Sequence, residues 1–133
     1  MIILKPFNFV FCEGFRAEIG GKLVLFGVSA PQLSVLSLPA PIVAAFWVDT
    51  EPSGIGRFEC EFRCRAEDEE ILIAGKMGGE NINDGRVGLP LGPFPLNIKS
   101  AGKITCEWKF GTDPWVTIGE LIVSVNPNLS PIA

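Results

Sequence analysis

The chain predicts an all-β protein built as an antiparallel β-sandwich of about eight strands. Three observations predict it. Apolar and polar residues alternate with a period of two over 57–66, and again over 103–110. Fifteen glycines and eleven prolines cut 133 residues into short segments, as many strands joined by tight turns require. No stretch carries the spacing of an amphipathic helix.

The first strand is expected over Ile2–Phe11, with Phe7, Phe9 and Phe11 on one face and Asn8 and Val10 on the other. Pro6 places its start at an edge or a bend. A hairpin follows within Cys12–Val28, its turn made by Gly20-Gly21, which supply the positive φ that tight turns need. Its two arms are expected to start the sheet. The run Lys22–Val28 is almost continuously apolar, and this predicts burial on both faces. Arg16 and Glu18 stand two apart and share a face, within reach of ion pairing across the turn with Lys22.

A short strand over Leu33–Leu38 is closed by Pro39 and Pro41. The apolar segment Ile42–Asp49 then reads as a central strand. The clearest strand is Arg57–Ala66. Phe58, Cys60, Phe62, Cys64 and Ala66 face the core, and Arg57, Glu59, Glu61, Arg63 and Arg65 form a solvated, internally paired face. Residues 67–70 make an acidic turn, Ile71–Met77 the next strand, and Gly78-Gly79 its end. Residues 81–85 have the look of a calcium loop but place Ile82 where an oxygen ligand is needed and Leu91 where a bidentate Glu belongs. Asp84-Gly85 is read as a turn instead. Residues 88–95 cannot sit in a central ladder, because Pro90, Pro93 and Pro95 donate no hydrogen bond, so they form an ordered loop or an edge. In Lys103–Phe110 the residues Ile104, Cys106, Trp108 and Phe110 point inward and Lys103, Thr105, Glu107 and Lys109 outward. Trp115–Val125 closes the sheet. All 133 residues form one domain, with 126–133 a tail expected to fray.

A net charge of −4 and the lack of a basic cluster argue against nucleic acid or an anionic membrane as partner. No apolar run approaches the ~18 residues of a membrane span. The opening MIILKPFNFVF is interrupted by Lys5, Pro6 and Asn8 and does not read as a secretory signal, so a cytoplasmic location is expected. Cys60 and Cys64 lie on one strand roughly 13 Å apart, at ~3.3 Å per residue, too far to bond with each other. With Cys12 and Cys106 they lack zinc-site spacing and read as buried thiols; a contact of Cys60 or Cys64 with Cys106 is compatible with the strand pattern. There is no histidine, no phosphate-binding glycine loop and no nucleophile elbow. The chain therefore reads as non-enzymatic, with no cofactor and no metal.

Cys12, Arg16, Glu18, Gly20, Gly21, Lys22 and Gly27 follow a pattern of Cys, Arg-x-Glu, Gly-Gly-Lys and an apolar strand ending in Gly. In this the chain resembles a group of bacterial and phage proteins of unknown function, over about seventeen residues, and Pro95–Val125 is similar to the end of those proteins. An acidic residue or two usually follows the Cys; here Glu13 stands alone before Gly14. The resemblance implies an immunoglobulin-like sandwich and carries no activity.

Two functions fit. In the first the domain is a protein-interaction or assembly module, binding a protein partner or a second copy, through Arg16, Glu18, Lys22, Phe94 and Trp115. In the second it holds a small apolar or sugar-like ligand against Trp47, Trp108 or Trp115; a cavity of ~300 Å³ or more beside a tryptophan would favour that.

Overall fold

Residues 1–28, 31–83 and 85–128 are described by the computed structural model. Ten strands run through them: β1 (Leu4–Cys12), β2 (Gly14–Ala17), β3 (Leu23–Phe26), β4 (Gln32–Val35), β5 (Ala40–Pro52), β6 (Gly56–Arg65), β7 (Ile71–Asn81), β8 (Val87–Ile98), β9 (Gly102–Phe110) and β10 (Val116–Val125). They form a three-stranded sheet in the order β1-β5-β8, a five-stranded sheet in the order β4-β10-β9-β6-β7, and a separate two-stranded ribbon, β2-β3. The order β10-β9-β6-β7 is the G-F-C-C′ order of variable-type immunoglobulin sheets, and β1-β5-β8 follows the A-B-E strands opposite. The expected sandwich is present, with ten strands in place of eight. One pairing is parallel: β4 lies along β10, Val35 opposite Val125.

The core lies between the two large sheets. Phe11, Phe46, Val48, Leu91, Leu96 and Ile98 of the smaller sheet meet Phe58, Phe62, Cys64, Ile104, Trp108 and Leu121 of the larger. Trp108 is fully enclosed, with Phe110 edge-on at 5.6 Å, and its indole nitrogen has no hydrogen-bond partner. The alternation in β6 and β9 places their apolar residues as expected, Phe58, Cys60, Phe62 and Cys64 against Ile104, Cys106, Trp108 and Phe110.

The proline-rich segment forms the edge strand β8, paired with β5 alone within its sheet. Its inward residues change parity partway. Leu91 opposes Phe46 and Phe94 opposes Ala44, so Gly92 and Pro93 together face a single residue, Ala45. This bulge lets Leu91 and then Phe94, Leu96 and Ile98 all point inward. Gly92 takes a φ of 98°, which a side chain would resist.

Three local expectations are corrected. Phe7 leaves the Phe9–Phe11 face, because the register of β1 against β5 shifts between Pro6 and Asn8; its exposed ring lies under Arg86. β7 does not stop at Gly78-Gly79 but continues to Asn81, and the Phe58 ring covers Gly79 where a side chain would stand. Leu33–Leu38 is strand only as far as Val35. The calcium-like segment is otherwise employed: Asn81 is buried and donates from Nδ2 to the Gly54 carbonyl at 2.7 Å. Of the Asp84-Gly85 turn, Asp84 lies outside the described residues, as do 129–133 of the tail. Asn126 is tied to β4, donating to the Val35 carbonyl at 2.8 Å.

Candidate functional site

The hairpin is folded as its glycines dictate. Gly20 and Gly21 have φ of 95° and 81°. The Gly21 amide donates to the Glu18 carbonyl at 3.2 Å, and the Glu18 amide to the Lys22 carbonyl at 2.7 Å. Its place differs from expectation. The ribbon does not join either sheet; β2 lies on the outer face of the smaller one, against β5 and β8. Beneath it a second, small apolar cluster forms. Cys12 and Ala45, directly opposite on β1 and β5, are fully buried although they point away from the main core. Phe15 faces Trp47 at 6.5 Å between ring centres, and Trp47 donates from Nε1 to Asp49 Oδ1 at 2.9 Å. A second oxygen of Asp49 accepts from Asn8 Nδ2 at 2.9 Å.

The apolar run of β3 is therefore not buried on both faces. Leu23, Phe26 and Val28 are two-fifths exposed or more, and Ile19 at the turn is wholly exposed. A two-stranded ribbon has only one supporting neighbour, so half of its side chains must face water. Arg16 donates from Nε to Glu18 Oε1 at 2.9 Å, closing an exposed ion pair beside these residues. Lys22 stands exposed on the same turn. A groove of about 570 Å³ runs between ribbon and sheets, lined by Phe11, Phe26, Leu33, Ile42, Val43 and Pro93. None of these is a tryptophan.

The outer face of the larger sheet is organised differently. Glu107, expected to be solvated, is almost completely buried there. β9 lies in register with β6, so Glu107 sits opposite Arg63. Its Oε1 accepts from Arg63 Nε at 2.6 Å and from Arg65 Nε at 3.0 Å. Trp115 roofs this group, its ring 3.9 Å from the Arg63 guanidinium carbon and 5.3 Å from Lys109 Nζ. Both arginines are committed to Glu107 and Lys109 Nζ lies 3.6 Å from Glu61, so among the described residues the patch has no free cation with which to capture an anionic ligand. Its chemistry is self-satisfied, and the aromatic ring is the part left half-exposed.

The structure brings Arg16, Glu18 and Lys22 together on the ribbon. It places Trp115 on the far sheet and Phe94 in the core, where Phe94 stacks on Phe62 at 5.1 Å. Phe94 is thus a packing residue. Ile19, Leu23 and Phe26 complete the ribbon surface; their hydrophobicity was visible in the chain, but not the absence of a covering strand.

The thiols are quiet. Burial pushes Cys60 up to about 11 and also raises Cys12. Cys106 is raised well above the ordinary thiol range, first by its hydrogen bond with Cys64 and then by burial. Cys64 Sγ and Cys106 Sγ are 3.0 Å apart on directly paired residues, and all four cysteines are free. Raised thiols are the reverse of what a nucleophile needs. No group of three or more Cys, Asp or Glu placed to hold a metal occurs among the described residues, nor does any helix long and apolar enough to cross a membrane.

No protein-family model matches the chain, and no curated protein matches it.

Proposed function

We propose that this domain is a non-enzymatic interaction module whose working surface is the β2–β3 ribbon, and that it binds another protein there. One observation carries the reading. The ribbon stands outside both sheets, rests on a dedicated apolar seat, and turns Ile19, Leu23, Phe26 and Val28 toward solvent beside the Arg16–Glu18 pair. Exposed apolar residues gathered on one projecting element and rimmed by charge are the composition of a protein-binding surface. The seat of Cys12, Ala45 and Trp47 anchors the ribbon through Phe15, and anchoring an element before it binds lowers its ordering cost.

A ligand held against a tryptophan receives less support. Trp108 is enclosed by core side chains, Trp47 is occupied by Phe15 and Asp49, and Trp115 lies flat on Arg63. Four unpaired thiols fit a reducing, cytoplasmic setting.

The test is a photo-reactive residue introduced at Ile19, with a control at Asp113 in the exposed turn after β9, both expressed in the source cell. A discrete crosslinked band from position 19, absent at 113 and abolished by Leu23→Ser with Phe26→Ser, is the expected result. Equal crosslinking from both positions, or none from 19, would overturn the reading. Melting curves of the variants establish that the sandwich is intact.

A further inference from the structure

Each large sheet ends in two edge strands, and three of the four edges are blunted. β1 breaks its register between Pro6 and Asn8. β8 carries Pro90, Pro93 and Pro95, which offer no donor. β4 is four residues long. The remaining edge, β7, is eleven residues long and contains no proline. Gly75, Gly78 and Gly79 bring no side chains of their own to this edge, and all three are exposed; the Phe62 and Phe58 rings approach Gly75 and Gly79 from the core side. An edge of this length with bare backbone is a template for another strand.

The charges on β7 say which strand. Lys76, Gly78 and Glu80 share the outer face, opposite Glu61, Glu59 and Arg57 of β6. In an antiparallel pair of identical strands related by a two-fold axis perpendicular to the sheet, the axis passes midway between the two copies of one residue; were that Met77 or Gly79, a charged residue would oppose Gly78 and no charges would pair. With Lys76 or Glu80 on the axis, like charges would meet. With Gly78 there, Lys76 of each copy falls opposite Glu80 of the other, twice over, and the two glycines meet at the centre without a side-chain clash. The row of charges then continues without a break across the boundary: Arg57, Glu80, the partner's Lys76, the partner's Glu61 and the partner's Lys109 alternate in sign. Each same-chain neighbour in that row is already set by the register of β7 on β6 and of β9 on β6, with Lys76 Nζ 3.9 Å and Lys109 Nζ 3.6 Å from Glu61. Opposite charges directly across an antiparallel pair are favourable, and like charges are not.

We propose that β7 pairs antiparallel with β7 of a second copy, with Gly78 on the two-fold axis, joining two five-stranded sheets into one of ten strands. This rests on the interaction-module reading above and extends it. The ribbons lie on the other sheet, so a pair of chains would present two of them to a partner.

Charge reversal tests the register. Light scattering across micromolar to millimolar concentration should show the wild-type chain passing from monomer to dimer. K76E and E80K each place two like-charged pairs at the boundary and should weaken the dimer at least tenfold. Mixed one to one they restore both attractive pairs, and a heterodimer should appear at concentrations where neither chain alone associates. The double exchange K76E with E80K in one chain should restore the homodimer. Amide exchange should slow along 75–81 as wild-type concentration rises. Lys76 and Glu80 are exposed, and melting curves check that each variant folds. A wild-type chain monomeric throughout would overturn the pairing while leaving the ribbon crosslink to stand or fall separately. A dimer indifferent to charge reversal, or singles that fail to rescue one another, would overturn the β7 register and leave assembly through another surface.

Discussion

The two sheets of this sandwich face the same difficulty and solve it differently. Each has one face in the core and one turned outward. The smaller sheet covers its outward face with chain: the ribbon settles over Cys12, Ala45 and Trp47 and makes a second apolar layer. The larger sheet covers itself with its own long side chains, Arg63 and Arg65 folding over Glu107 beneath Trp115. Covering by chain leaves the covering element with an outer surface of its own, and that surface is apolar. Covering by side chains uses up the charges that do the covering. The contrast explains why the charged face, the more conspicuous of the two in the sequence, spends its charges on itself around Glu107 and has open ones only toward the β7 edge.

Several measurements would break or sharpen this comparison. The largest effect is expected beneath both faces. Trp108→Ala should cost about 3–5 kcal/mol in chemical denaturation, as large-to-small core changes do; a midpoint that does not move would mean the sheets are not packed through this residue. Ala45→Asp places a charge in the fully buried seat of the ribbon. It should cost about 3 kcal/mol and open the 13–28 segment to limited proteolysis while β6 and β9 stay protected. Cleavage spread evenly through the chain would show that ribbon and sandwich are one unit. Glu107→Ala leaves Arg63 and Arg65 side by side without their carboxylate. Because both arginines keep partial contact with water, the expected loss is about 2 kcal/mol, below the ~3–5 kcal/mol of a wholly buried pair. Trp115→Ala removes only the roof and should cost about 1 kcal/mol; a larger loss than for Glu107→Ala would reverse the assignment of which group organises that face.

The smallest effect is one of pH. Burial lifts the Cys60 thiol from about 9 to about 11, so between these values the folded chain keeps a proton that the unfolded chain has lost. Its contribution to stability is complete below pH 9 and disappears as pH rises through 11. The melting temperature should therefore fall less steeply over that interval in Cys60→Ala than in the wild type. Identical slopes would place Cys60 in contact with solvent.

Much of the sandwich was legible because period-two alternation reports one buried face directly. β6 follows it residue by residue and β9 does so in its apolar residues, while Thr105 and Glu107, expected in water, are buried as well; the prolines of β8 left it a loop or an edge, and it is an edge. What the chain could not report was which strands lie side by side. Glu107 alternates with core residues like any solvated glutamate; only its position opposite Arg63 buries it. The run from Leu23 to Val28 is apolar enough for a central strand, and nothing local says that its only neighbour is β2. Phe94 looked like an exposed anchor among prolines until the bulge at Gly92-Pro93 turned it inward. Of the residues singled out from sequence, those adjacent along the chain, Arg16, Glu18 and Lys22, proved adjacent in space; those that were distant did not.

The parallel pairing of β4 with β10 has a consequence for how the protein is made. Ninety residues separate Ser34 from Ser124, whose hydroxyls meet across that pair. At synthesis rates of about 5–20 residues per second, Gln32–Val35 emerges roughly 5–20 s before its only sheet neighbour exists. For most of that interval β9 is also incomplete, so the apolar faces of β5 and β6 can close on each other but lack Ile104, Trp108 and Leu121. Of the strands of the larger sheet, β4 is made first and joins last, because it has no place until β10 has paired with β9.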